Sequence, residues 1–133
     1  MDLALNPMPR ISSGNILVIS KTQEMLDLLE AILADEAFAA TGGLSTTYDL
    51  GSIQAAAPSL LILDDVNGQD DPCRTLLYQL KLRQPASSIP VIALTTSRQD
   101  KSQLEATLDA MNVSVLLKPF EIDDLLQKVQ ASL

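Results

Sequence analysis

The sequence predicts an α/β fold, a doubly wound parallel sheet of five strands with five helices, and three observations carry that expectation. Four short apolar runs, at 16–19, 60–63, 89–94 and 113–117, have the length and aliphatic content of strands buried on both faces. The stretches between them place apolar residues at helical spacing. The connections are long enough for the crossovers that parallel strands require.

Residues 1–13 hold two prolines and little periodicity, and are expected to form a flexible leader to one domain over 14–133. Ile16-Leu17-Val18-Ile19 makes the first strand, closed by Ser20-Lys21. Met25, Leu28, Leu29, Ile32 and Leu33 share one face of the helix that follows, with Ser20 and Gln23 placed as a reciprocal cap. Phe38-Ala39-Ala40-Thr41 is a short edge strand in this reading, broken or bulged by Gly42-Gly43. A second helix over 48–57 carries Leu50, Ile53, Ala56 and Ala57, is weakened by Gly51 and ends at Pro58.

Leu60-Leu61-Ile62-Leu63 is the most apolar run, and Asp64-Asp65 follows at once, so this strand emerges into polar surroundings. Asn67-Gly68 marks a turn. Asp71 is the cap and Pro72 the first residue of a third helix with the stripe Cys73, Leu76, Leu77 and Leu80, which Pro85 stops. In Ile89-Pro90-Val91-Ile92-Ala93-Leu94 the proline stands at the strand start, where no ladder donor is needed, and Thr95-Thr96-Ser97 ends the strand. A helix from about 100 to 111 faces the core with Leu104, Leu108 and Met111. Val113-Ser114-Val115-Leu116-Leu117 leads into Lys118-Pro119-Phe120, and a last helix shows Ile122, Leu125, Leu126 and Val129.

Composition narrows the function. With 133 residues the chain has one-domain size and buries roughly two-thirds of its unfolded surface. Aromatics are 3% of residues, so the core is built from Leu, Ile, Val, Ala and Met. A formal net charge of −8 argues against nucleic acid or an anionic membrane surface as partner. The single Cys73 excludes an internal disulfide and a cysteine-rich metal site, and the absence of histidine excludes His-based triads, imidazole metal sites and a phosphohistidine carrier. No signal peptide or long apolar span is seen, and a cytoplasmic location is expected.

Because parallel strands share a direction, Ser20-Lys21, Asp64-Asp65, Thr95-Thr96 and Lys118-Pro119 meet at one sheet edge, where open α/β sheets bind ligands. Singly, each residue has a plainer role. Two aspartates can end a strand, Thr95 can cap a helix and Lys118 can be a surface lysine. Their convergence is what points to a site.

The chain resembles the receiver domains of bacterial response regulators, the CheY-like superfamily, over about residues 15–131. The resemblance is carried by Pro58 with the apolar run to Asp64, by Ile89-Pro90-Val91-Ile92 through Thr95, and by Leu117-Lys118-Pro119-Phe120. It implies a flavodoxin-like sheet of strand order 2-1-3-4-5 and no enzymatic activity. It also implies Asp64 at the phosphoacceptor position, Thr95 as the hydroxyl that binds a phosphoryl oxygen, and Lys118 as the cation that pairs with phosphate.

Three departures set this chain apart. Receivers follow the first strand with two acids that hold Mg²⁺, where this chain has Ser20 and Lys21. The aromatic switch position three residues before the lysine is Val115, and the frequent Met-Pro after the phosphoacceptor is Asn67-Gly68. A receiver pocket with three carboxylates, one lysine and Mg²⁺ is neutral; Asp64 and Asp65 with Lys21 and Lys118 are neutral without metal. Lys21 is therefore expected to stand in the place of the ion and hold Asp64 ionised, an ion pair of about 4 kcal/mol before desolvation. Strand alternation leaves open whether Asp65, an accessory acid, points into the pocket.

The expected function is a receiver-like pseudo-receiver in two-component or phosphorelay signalling, acting through protein contacts with phosphotransfer weakened or lost and needing no cofactor. The alternative is a phosphorylatable receiver using Asp64 with Mg²⁺. A small nucleotide-binding enzyme of Rossmann type is the distant third, since Ser20-Lys21-Thr22-Gln23 lacks the glycine-rich turn. By the same resemblance the partners are a histidine kinase or an output protein, with the region 100–129 as a docking or homodimer face.

Overall fold

The computed structural model describes residues 15–68, 71–83, 88–108 and 111–133; the leader expected over 1–13 lies outside them. Ten elements alternate: β1 Asn15–Ser20, α1 Gln23–Asp35, β2 Ala39–Leu44, α2 Leu50–Ala56, β3 Leu60–Leu63, α3 Pro72–Lys81, β4 Val91–Thr95, α4 Arg98–Thr107, β5 Val113–Leu117 and α5 Ile122–Ser132. All strand pairings are parallel and the order is β2-β1-β3-β4-β5, as the sequence predicts.

Each strand sends alternate side chains to opposite faces. Leu17, Ile19, Leu61, Leu63, Val91, Ala93 and Val115 pack with Ile53, Leu77, Leu80 and Leu104, so α2, α3 and α4 cover one face. Ile16, Val18, Leu60, Ile62, Ile92 and Leu94 pack with Leu26, Leu29, Leu33, Leu125 and Val129 from α1 and α5 on the other. With both faces covered, β3 is apolar at every position, and all four of its residues are buried. That central placement delivers Asp64 to the middle of the carboxyl edge.

Helix boundaries follow their caps. Asp71 accepts from the Cys73 amide with Pro72 at the helix start, as expected, and Ser97 accepts from the Asp100 amide, so α4 begins two residues earlier than its apolar spacing suggests. The cap of α1 is Thr22, whose side chain accepts from the Met25 amide, and not Ser20. Ser20 is instead drawn into the carboxyl-edge network described below. Leu26 takes the buried position expected of Leu28, which is 49% exposed, and Ile122 and Met111 are exposed as well. Helix α3 ends at Lys81, before Pro85.

The edge strand is longer than predicted. β2 runs through Gly42 and Gly43, because pairing with β1 from Asn15 to Ser20 supplies the regularity that glycine lacks by itself. The two glycines differ in what they admit. A Cβ at Gly43 would lie 1.9 Å from the Tyr48 ring, whereas one at Gly42 would meet chiefly the movable carboxylate end of Glu30 at 2.0 Å. Gly43→Ala is expected to cost about 1–3 kcal/mol and Gly42→Ala under about 1 kcal/mol, read as urea midpoints. Equal losses would mean that the ring yields as easily as the carboxylate.

Candidate functional site

The four strand ends do converge, and a continuous polar network joins them. Asp64, 2% exposed at the end of β3, is the centre. Its Oδ1 accepts from the Lys118 ammonium at 2.7 Å, and its Oδ2 accepts from the Ser20 hydroxyl at 2.7 Å. Both oxygens are thus engaged, one from the end of the neighbouring β1 and the other from the residue that follows β5. Lys118 is aimed inward because its backbone amide pairs with the Thr95 carbonyl at 2.7 Å, continuing the β4–β5 ladder one residue past the strand. The Lys118-Pro119 peptide is cis.

The position of Asp65, open on strand alternation, is set by a backbone turn. Asp65 has φ 65°, the left-handed region that Asp tolerates better than most residues, so the strand register ends there. Its Oδ1 accepts from Lys118 at 3.1 Å and from the Asn67 side-chain NH₂ at 3.0 Å. Burial raises the Asp65 carboxyl, but Lys118, Asn67 and Lys21 together outweigh it and leave it below the ordinary value. Burial pulls the Lys118 ammonium down, and the hydrogen bonds and charges of Asp64 and Asp65 carry it above its ordinary value.

Lys21 does not stand beside Asp64. Its ammonium pairs with Asp71, the residue that caps α3, fifty positions away in the sequence. That contact and the nearby charge overcome burial and raise the Lys21 pKa. Asp71 uses both oxygens: Oδ1 caps Cys73 at 2.8 Å, while Oδ2 takes Lys21 and the Asn67 backbone amide. Ser20, not Lys21, is the position-20/21 residue that reaches Asp64, through a neutral hydroxyl rather than a charge. The neutral count expected from four side chains also changes, because Asp71 joins the group and three carboxylates now face two ammonium groups.

Thr95 is fully buried, and its hydroxyl donates to the side-chain carbonyl of Asn67 while accepting from the Ser97 amide at 3.3 Å. The cap of α4 falls to Ser97, and Thr95 instead makes a local turn bond and takes a place in the site. Val115 packs in the core with no polar function. Asn67 and Asp71 are the residues that sequence reasoning misses as site members, since a turn residue and a helix cap carry the same letters. The signal available was their position, within seven residues of Asp64 on the same carboxyl-edge loop.

The Mg²⁺ implied by the resemblance is not fitted by these residues. Each Asp64 oxygen is engaged, by Ser20 and by Lys118, positions 20 and 21 supply a hydroxyl and an ammonium instead of acids, and among the described residues no group of three Asp, Glu or Cys side chains is arranged to hold a metal ion. Among the described residues no helix is long and apolar enough to cross a membrane.

No family model and no curated protein matches the sequence. Solved structures do match. The chemotaxis protein CheY4 of Vibrio cholerae is similar at TM-score 0.72 and 20% identity, covering 90% of this chain and 98% of that one. The receiver domain of nitrogen regulatory protein C is similar at 0.73 and 24%, covering 90% and 94%. The response regulator TrrA of Thermotoga maritima, solved in complex with Mg²⁺ and BeF, is similar at 0.73 and 20%, covering 90% and 98%. The strand order, the five covering helices and these matches together establish that the chain has the flavodoxin-like fold seen in receiver domains.

Proposed function

We propose that the protein is a cytoplasmic receiver-like signalling module that works through protein contacts, with phosphotransfer lost. The observation that supports this most is the closed coordination of Asp64, one oxygen on the Ser20 hydroxyl and the other on the Lys118 ammonium. Phosphoryl transfer to a carboxylate needs a free oxygen to attack and a cation to neutralise the incoming charge. Here each Asp64 oxygen is already engaged by a hydrogen bond, and positions 20 and 21 bring a hydroxyl and an ammonium in place of acids that would hold a divalent cation beside Lys118. The partners this reading assigns are a histidine kinase or an output protein, bound by surface complementarity and not by phosphate.

Incubation with acetyl phosphate and Mg²⁺ tests it. The expected result is no acylphosphate on the intact chain by mass spectrometry. Rapid, stoichiometric labelling that disappears in Asp64→Asn would instead establish a phosphorylatable receiver.

A further inference from the structure

The hydroxyl of Thr95 and the backbone amide of Thr96 are two donors at the end of β4 that converge on one point. That point is filled from within the chain. The Asn67 side-chain oxygen accepts from the Thr95 hydroxyl, from the Thr96 backbone amide at 3.1 Å and from the Thr96 hydroxyl at 3.4 Å. The orientation of the carboxamide follows from its neighbours. A backbone N–H can only donate and the Asp65 carboxylate can only accept, so oxygen must face Thr96 and nitrogen must face Asp65.

The loop is built to keep the carboxamide there. Asp71 accepts from the Asn67 backbone amide at 3.2 Å and is itself held by Lys21. On the next residue, Asp100 of α4 accepts from the Gly68 amide at 3.0 Å and pairs with the buried Arg74 of α3 at 3.1 Å. Gly68 sits at φ 65°, where any side chain would strain the turn. Tethers from α3 and α4 therefore converge on two residues.

We propose that Asn67 is an intramolecular occupant of the oxyanion position, its carboxamide oxygen doing continuously what an oxygen of a bound phosphoryl group or free phosphate would do. This deepens the receiver reading, on which it rests for the nature of the displaced anion. A carboxamide suits the role because it is neutral. It offers oxygen to the two donors and its NH₂ to Asp65, adding no charge to a group already rich in carboxylates. The end of β4 is thereby held in an anion-engaged arrangement with no anion present, and the signalling state of the module is set by its sequence.

Amide exchange and phosphate titration of the ¹⁵N-labelled chain test this. Thr96 is exposed, yet its amide is expected to exchange at least about tenfold more slowly than an unbonded amide, and to lose that protection in Asn67→Ala. Wild type is expected to show no saturable shift of the Thr96 amide with inorganic phosphate. Asn67→Ala gains one, with affinity at least about tenfold higher, and adding Thr95→Ala abolishes it. Free exchange of the Thr96 amide in wild type overturns the proposal, as does a wild-type phosphate response equal to that of Asn67→Ala. The exchange measurement needs only the wild-type protein, so it is decisive even if the variant fails to fold. It is also independent of the acetyl phosphate result, because it reads the unphosphorylated chain.

Discussion

Lys118→Met is expected to destabilise the fold by about 3–5 kcal/mol, the cost of leaving a buried carboxylate without its cation. Methionine keeps most of the side-chain volume, so packing is nearly preserved and the loss reports charge. Asp64 is 2% exposed and the Ser20 hydroxyl that remains is neutral, so the buried carboxylate is left without a counter-charge. Asp64→Asn in the same background is expected to recover most of the loss, since an amide needs no counter-charge. A double-mutant cycle by urea unfolding isolates the pair. A loss below about 1 kcal/mol would class it with exposed ion pairs and remove the energetic basis of the site.

The same cluster gives the protein's stability a pH window. The folded pKa of Asp65 lies below its ordinary 3.8, so its contribution is present above pH 3.8 and is lost as pH falls through the lower folded value. Lys118 and Lys21 lie above their ordinary 10.5, so their contributions are present below pH 10.5 and are lost as pH rises through the folded values. In Lys118→Met the Asp65 depression weakens, and the acid limb of the stability curve moves to higher pH.

The paired substitution Ser20→Asp with Lys21→Asp is expected to create Mg²⁺ affinity in the millimolar range where the wild type has none. Three carboxylates facing two ammonium groups become five facing one, and an acid enters the buried position of Ser20 beside Asp64. Like-charge repulsion lowers the stability of the metal-free variant, and Mg²⁺ at ten times its Kd restores about 1.4 kcal/mol. Calorimetric titration and the Mg²⁺ dependence of Tm read both effects. If the variant binds no better than wild type, the identities at 20 and 21 are not what excludes the ion.

Much of the architecture was legible because burial on both faces leaves a plain signature. The run ending at Leu63 is apolar for its whole length and the one ending at Leu117 is broken only by Ser114, and the structure places their strands where the hydropathy does. Asp71-Pro72 marked a helix start for reasons confined to two residues. β2 was harder, since Gly42 and Gly43 have no strand preference and are regular only through their ladder with Ser20 and its neighbours.

The convergence of Asp64, Thr95 and Lys118 on one edge was determined by the sequence alone, because alternation forces parallel strands and parallel strands share an end. Which group pairs with which was decided only by the tertiary structure. Lys21 has a long stem with reach to more than one carboxylate, and the docking of α3 brings Asp71 closer than Asp64. Asp65 leaves the strand alternation through a left-handed turn, and Asn67 enters the site because its loop is tied to α3 and α4. Strand direction is encoded by local periodicity, but hydrogen-bond partners depend on ångström-scale distances between segments far apart in the chain, which no local pattern records.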